Sequence, residues 1–86
     1  MVGEPGEARR QAAIEDESRR LRRLQLIVRL VMNLISQGNL PFDEASAMVA
    51  ATRRVALNLF PGKEGTYDLI YQPRLQRLLA QKYRLQ

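Results

Sequence analysis

The chain contains neither cysteine nor histidine. Those two absences exclude disulfides, thiolate chemistry, imidazole acid–base catalysis and the usual zinc ligand sets. Aromatic residues are scarce as well, three tyrosines and two phenylalanines, so there is little material for stacking nucleic-acid bases. Long apolar runs are missing. The longest, Leu24 to Ile35, spans twelve residues and includes Gln25, Arg29 and Asn33, too short and too polar to cross a bilayer. The opening segment MVGEPGEARRQAAIEDE is acidic and lacks an apolar core. Neither a secretory signal nor an arginine-rich, acid-poor transit peptide fits it, and a cytoplasmic location is the expectation.

What remains is a short basic chain. Eighty-six residues make one domain that buries only roughly 60–65% of its unfolded surface, so its core is modest and rests on good helices or on a partner. Fourteen basic against nine acidic residues give a net charge of +5, which suits nucleic acid, an acidic protein surface or anionic lipid without choosing among them.

Proline and glycine punctuate the chain at few places. Gly3, Pro5 and Gly6 mark residues 1–7 as a disordered tail, and residues 8–86 form a single helical domain. From Ala8 to Gln37 nothing breaks helical geometry, so one long helix over 8–37 is expected, stopped at Gly38-Asn39. A second helix, 42–60, opens on Pro41 with Asp43 and Glu44 complementing its dipole, and stops at Pro61-Gly62. Helices over 63–71 and 74–84 follow, separated by Pro73. The fold class is therefore all-α, a small bundle of three to four helices with a long N-terminal helix. No period-two alternation and no internal repeat occurs.

At 100° per residue, Leu24, Ile27, Val28, Val31, Leu34 and Ile35 share a broad face of the first helix, with Leu26, Leu30 and Met32 on its flanks. Arg22, Gln25, Arg29, Asn33 and Ser36 form the opposite strip. A helix this apolar around its circumference is expected to be central and covered by several neighbours. Its length creates a second constraint. Thirty helical residues span about 45 Å, whereas a compact chain of this size is roughly 30 Å across. The N-terminal half, about Ala8 to Arg23, should therefore fray or project.

That half carries the block RRLRR, Arg19 to Arg23. Glu15–Arg19, Asp16–Arg20 and Glu17–Arg20 have the spacing of local ion pairs, each contributing roughly 0.2–0.5 kcal/mol. Arg22 and Arg23 have no acid four residues before them and are the better candidates for an outside contact.

The second helix places Ala45, Met48, Val49, Thr52, Val55, Ala56 and Leu59 on one face and Ala47, Ala50, Arg54 and Asn58 on another. The stretch PGKEGTYDLIY superficially resembles a phosphate loop. In a true phosphate loop, however, Gly would stand where Asn58 is and Ser or Thr where Glu64 is, after a strand. A helix stop followed by a new helix explains it better, with Tyr67 and Tyr71 packing over the second helix and their hydroxyls at the rim. In the last helix Leu75, Leu78, Leu79 and Leu85 lie to one side, and Arg74, Arg77, Gln81 and Arg84 to the other. Lys82 and Arg84 suit a helix C-terminus.

No catalytic constellation emerges: Ser36, Ser46, Thr52 and Thr66 have no histidine to activate them, and capping accounts for Asp43 and Glu44. No catalytic, cofactor-binding or metal residues are expected, and no cofactor or small-molecule substrate. The expected function is a non-enzymatic helical protein–protein interaction or oligomerisation module, a homodimer being favoured over another protein partner. One specific arrangement crosses two first helices antiparallel near Ser18, setting Glu15, Asp16 and Glu17 against Arg19, Arg20, Arg22 and Arg23. The alternative is nucleic-acid binding through Arg19–Arg23 with Arg74 and Arg77. A membrane-surface helix ranks below both. Candidate partner or phosphate contacts are thus Arg19, Arg20, Arg22, Arg23, Arg74 and Arg77.

Overall fold

The computed structural model describes residues 5–84. Four helices run in order α1 (Pro5–Gln37), α2 (Phe42–Leu59), α3 (Glu64–Ile70) and α4 (Gln72–Tyr83), and no strand occurs among the described residues. This is the all-α bundle with a long first helix that the residue pattern implies. Residues 1–4 of the expected tail, and Leu85, lie outside the described residues.

Two boundaries differ from expectation by more than one residue, for identifiable reasons. α1 begins at Pro5 rather than Ala8, because proline tolerates a helix first turn and Glu7 complements the exposed N–H groups there. α4 begins at Gln72 with Pro73 in its first turn, not after Pro73. The joint falls at Tyr71, whose backbone stays near helical values at φ −100° and ψ −40°, so α3 and α4 are nearly continuous.

The buried stripe of α1 is narrow: Leu24, Val28, Val31 and Ile35, spaced four, three and four residues apart as one helix face demands. Onto it close Ala45, Val49, Thr52 and Ala56 of α2, Tyr67 of α3, and Leu75 and Leu79 of α4. The small Ala45 and Ala56, almost fully buried, leave no bulky side chain between the backbones. Among the described residues Thr52 is the one buried polar residue, and its Oγ1 donates to the Met48 carbonyl at 2.8 Å, so its burial leaves no bare hydroxyl.

The expectation of a central α1 covered on several sides does not hold. α1 packs against α2 and α4 alone, and α3 reaches only α2 and α4. Ile27 is half-buried, but Leu26, Leu30 and Leu34 are exposed. Two neighbours shield roughly a third of a helix circumference, less than the apolar arc that this sequence supplies.

The expectation of overshoot does hold. Residues 6–23 of α1 are exposed throughout, and the molecule measures 61 × 23 × 16 Å with a radius of gyration of 16.9 Å, against about 12 Å for a compact chain of this length. Charged side chains can therefore share the helical face of the core without entering it.

Sharp turns fold α2 back onto α1. The Gly38 amide donates to the Leu34 carbonyl at 2.9 Å, and a Cβ at Gly38 would lie 2.5 Å from that same oxygen, so close approach, not a left-handed φ, demands glycine here. After α2, Gly62 adopts φ +78°, the left-handed region that glycine enters at no steric cost.

Ile35→Ala empties a fully buried site and should lower unfolding free energy by about 2–5 kcal/mol. The adjacent Leu34→Ala should change it by about 1 kcal/mol or less, because that side chain is nearly half exposed. Urea titrations of the two variants check the contrast.

Candidate interaction surface

Four features of the surface bear on function, and each follows from how α1 is held. The first is the leucine face. Leu26 is 63% exposed, Leu30 55% and Leu34 46%, three large apolar side chains at successive four-residue steps. They lie roughly 130° around the helix from the buried stripe. Isolated exposed leucines are ordinary, whereas a contiguous apolar stripe is the usual mark of a contact site.

The second is the arginine block, which is exposed at the end of the bundle, beside the last turn of α2. Arg20 pairs with Asp16, as their spacing implies. The other expected pairs, Glu15–Arg19 and Glu17–Arg20, do not form; Arg20 is satisfied by Asp16, one helical turn away. Arg19, Arg22 and Arg23 make no ion pair among the described residues. Arg19, Arg20 and Arg23 gather with Asp16 and Leu59 around a shallow hollow of about 410 Å³.

Arg74 and Arg77 do not join this group. Arg74 instead meets Arg29, Gln25 and Asn33 across a separate depression of about 440 Å³. Arg29, not among the sequence candidates, is thereby the basic residue that shares this depression with Arg74. Its signal was present in its place on the polar strip with Arg22, but only the packing of α4 against α1 decides which arginine it meets.

The third feature is a groove of about 290 Å³ where α1 and α3 stand apart, lined by Leu21, Leu24, Leu57, Phe60, Tyr67 and Ile70, with Lys63 and Glu17 beside them. Tyr67 is 4% exposed and its hydroxyl finds no hydrogen-bond partner among the described residues. The rim position expected for that hydroxyl is therefore wrong: α3 stands so close against α2 that the ring goes fully under, and burial, assisted by the Asp68 charge, raises its pKa. Tyr71, with its ring centroid 5.6 Å from that of Tyr67, stays half-buried.

The fourth is a set of clasps that fix the bundle end over end. Arg53 Nε and Nη2 donate to the two carboxylate oxygens of Asp68 at 2.9 and 3.0 Å, a bidentate pair joining α2 to α3. This hydrogen bonding holds the Asp68 carboxyl below its ordinary range. Lys82 Nζ donates to the Ser36 carbonyl at 3.2 Å, so this cation serves the C-terminus of α1 as well as that of its own helix. Tyr83 donates its hydroxyl to the Leu40 carbonyl at 2.6 Å and sets its ring edge-on to Phe42 at 5.4 Å. Thus α4 closes the α1–α2 corner. At that corner Asp43 and Glu44 are exposed and make no ion pair among the described residues.

Comparison with known proteins adds no assignment: no protein-family model, no curated protein and no solved structure matches the chain. No cluster of three or more acidic side chains able to hold a metal ion occurs among the described residues, and no helix of the structure is long and apolar enough to cross a membrane. The surface must be read from its own chemistry.

The two tyrosines should respond oppositely to loss of the hydroxyl. Tyr83→Phe removes a hydrogen bond and should cost about 1 kcal/mol, while Tyr67→Phe relieves an unpartnered buried hydroxyl and should leave stability unchanged or up to about 1 kcal/mol higher. Thermal or urea unfolding of both variants decides it.

Proposed function

We propose that this protein is a non-enzymatic helical interaction module that associates with itself through α1. The observation that carries the reading is the leucine face: three exposed leucines in one stripe on a helix that outruns its own bundle. A chain of this size that leaves such a stripe about half in water forgoes further burial worth on the order of 1 kcal/mol per leucine. A second helix laid on the stripe recovers it, and isologous dimers are the commonest way for a surface to find its own complement. The arginine block then serves as the charged flank of that contact. Dynamic or multi-angle light scattering should show the apparent mass rising towards that of a dimer as concentration increases through the micromolar range. Leu30→Glu, which places a charge in the stripe without touching the core, should hold the protein monomeric. A wild-type chain that stays monomeric to high micromolar concentration sinks this reading.

Nucleic-acid binding is the second reading, favoured by the grouping of Arg19, Arg20 and Arg23 around one hollow. It ranks lower because Arg74 lies with Arg29 in a separate depression and the chain has few aromatic residues on which bases could stack. Phosphate contacts make affinity fall steeply with salt. Fluorescence anisotropy with duplex DNA and single-stranded RNA should therefore show binding at low salt that disappears in Arg19→Glu/Arg23→Glu if this reading holds. The absence of any anisotropy change at low salt would dismiss it.

A further inference from the structure

Taking self-association through α1 as its premise, the geometry points to an antiparallel pair of α1 helices whose two-fold axis passes beside Leu30, with Arg19 and Arg23 of each copy reaching the Asp43–Glu44 corner of the other.

The face itself sets the direction. At 100° per residue, Arg19, Arg23, Leu26, Leu30, Leu34 and Gln37 fall within one sector of α1, apolar in its C-terminal part and basic in its N-terminal part. A parallel pair would lay Arg19 and Arg23 against the same residues of the second copy, a like-charge contact that disfavours it. Reversal removes that conflict. It also turns the unequal halves into complements, because what lies past Gln37 on the same end of the molecule is the first turn of α2 with its exposed Asp43 and Glu44, which make no ion pair among the described residues. Of the two cations described at this end, Lys82 is engaged with the Ser36 carbonyl, and Arg84, next to the Tyr83 ring that packs on Phe42, makes no ion pair with either carboxylate. Phe42, 41% exposed, adds apolar surface at the same corner.

The leucines set the register. With the axis beside Leu30, Leu30 meets its own copy, Leu26 lies across from Leu34 of the second copy, and Arg23 lies across from Gln37. Arg19 then falls beyond the end of the facing α1, level with the turn into α2. A crossing at Ser18, the register suggested by the charge pattern alone, puts Leu26 across from Arg10 and Leu30 across from Gly6. That arrangement leaves the stripe largely uncovered. Length supports the same choice: the arm too long for its own bundle is the part that extends past the partner's α1 and over its corner.

The contact is small. Residues 23–37 of the two copies overlap along only about 22 Å of helix, which with the two corners places the interface near or below about 1,200 Å², the class of weak, reversible complexes. A contact this small answers strongly to charge at its edges.

Because the chain has no cysteine, single cysteines report the register directly. Helices packed 8–10 Å apart bring facing Cα atoms within about 4–6 Å, inside the range a disulfide spans. At concentrations where light scattering shows a dimer, mild oxidation of Leu30→Cys should give a disulfide-linked dimer, while Ser18→Cys and Gln37→Cys should remain uncrosslinked. Asp43→Lys/Glu44→Lys and Arg19→Glu/Arg23→Glu should each raise the dimer dissociation constant by about tenfold or more, and mixing the two variants should restore heterodimer affinity to within about threefold of the parent. Crosslinking through Ser18→Cys indicates the other register, and crosslinking through Gln37→Cys a parallel pair; either overturns the inference while leaving self-association intact. Charge variants without effect overturn the arginine contact in the same way. A monomer at every concentration overturns both this inference and the reading on which it rests.

Discussion

The four-residue-wide stripe Leu24, Val28, Val31 and Ile35 is the constraint on which the molecule depends. Among the described residues it is the part of α1 that the rest of the chain buries, with Ile27 and Met32 half-buried beside it. α2 returns along it because Gly38 permits a turn too tight for any Cβ, and α4 docks on it because Leu75 and Leu79 recur at the same helical spacing. α3 gains no direct backbone contact with α1 and is held instead by Tyr67 and by the Arg53–Asp68 fork. Since two helices cannot enclose the whole apolar arc of a third, the leucine face of α1 is a geometrical remainder of this arrangement.

Much of this was legible in the residues. The helices could be placed from proline and glycine alone, and the overshoot of α1 followed from comparing a helix length with a domain diameter. What local pattern could not supply was the number of neighbours. Leu26 and Leu30 have the same hydrophobicity as Leu24, and only the positions of α2 and α4 decide which becomes core. Tyr67 illustrates the same limit from the polar side, because rim and interior differ by a small displacement of a seven-residue helix.

The candidate site was readable to a lesser degree. Charge density drew attention to Arg19–Arg23, and the structure does set Arg19, Arg20 and Arg23 around one hollow. It separates them from Arg74, which it pairs with Arg29. Spacing along one helix predicts which side chains are neighbours on that helix, but says little about which meet between helices distant in the chain. The Arg53–Asp68 and Tyr83–Leu40 contacts escaped notice for the same reason.

The exposure of residues 6–23 has a consequence for the physics of the arm itself. A helix of that length in isolation is marginal in water, because starting the first turn is costly while extending an existing one is not. Here the start is made for it at Leu24, inside the bundle, and the arm is winding that propagates outward from a fixed seed. Its cohesion therefore declines with distance from the seed, and any partner that grips its outer turns must supply the ordering that the bundle does not. The reach of this helix and the strength of what it holds are set against each other.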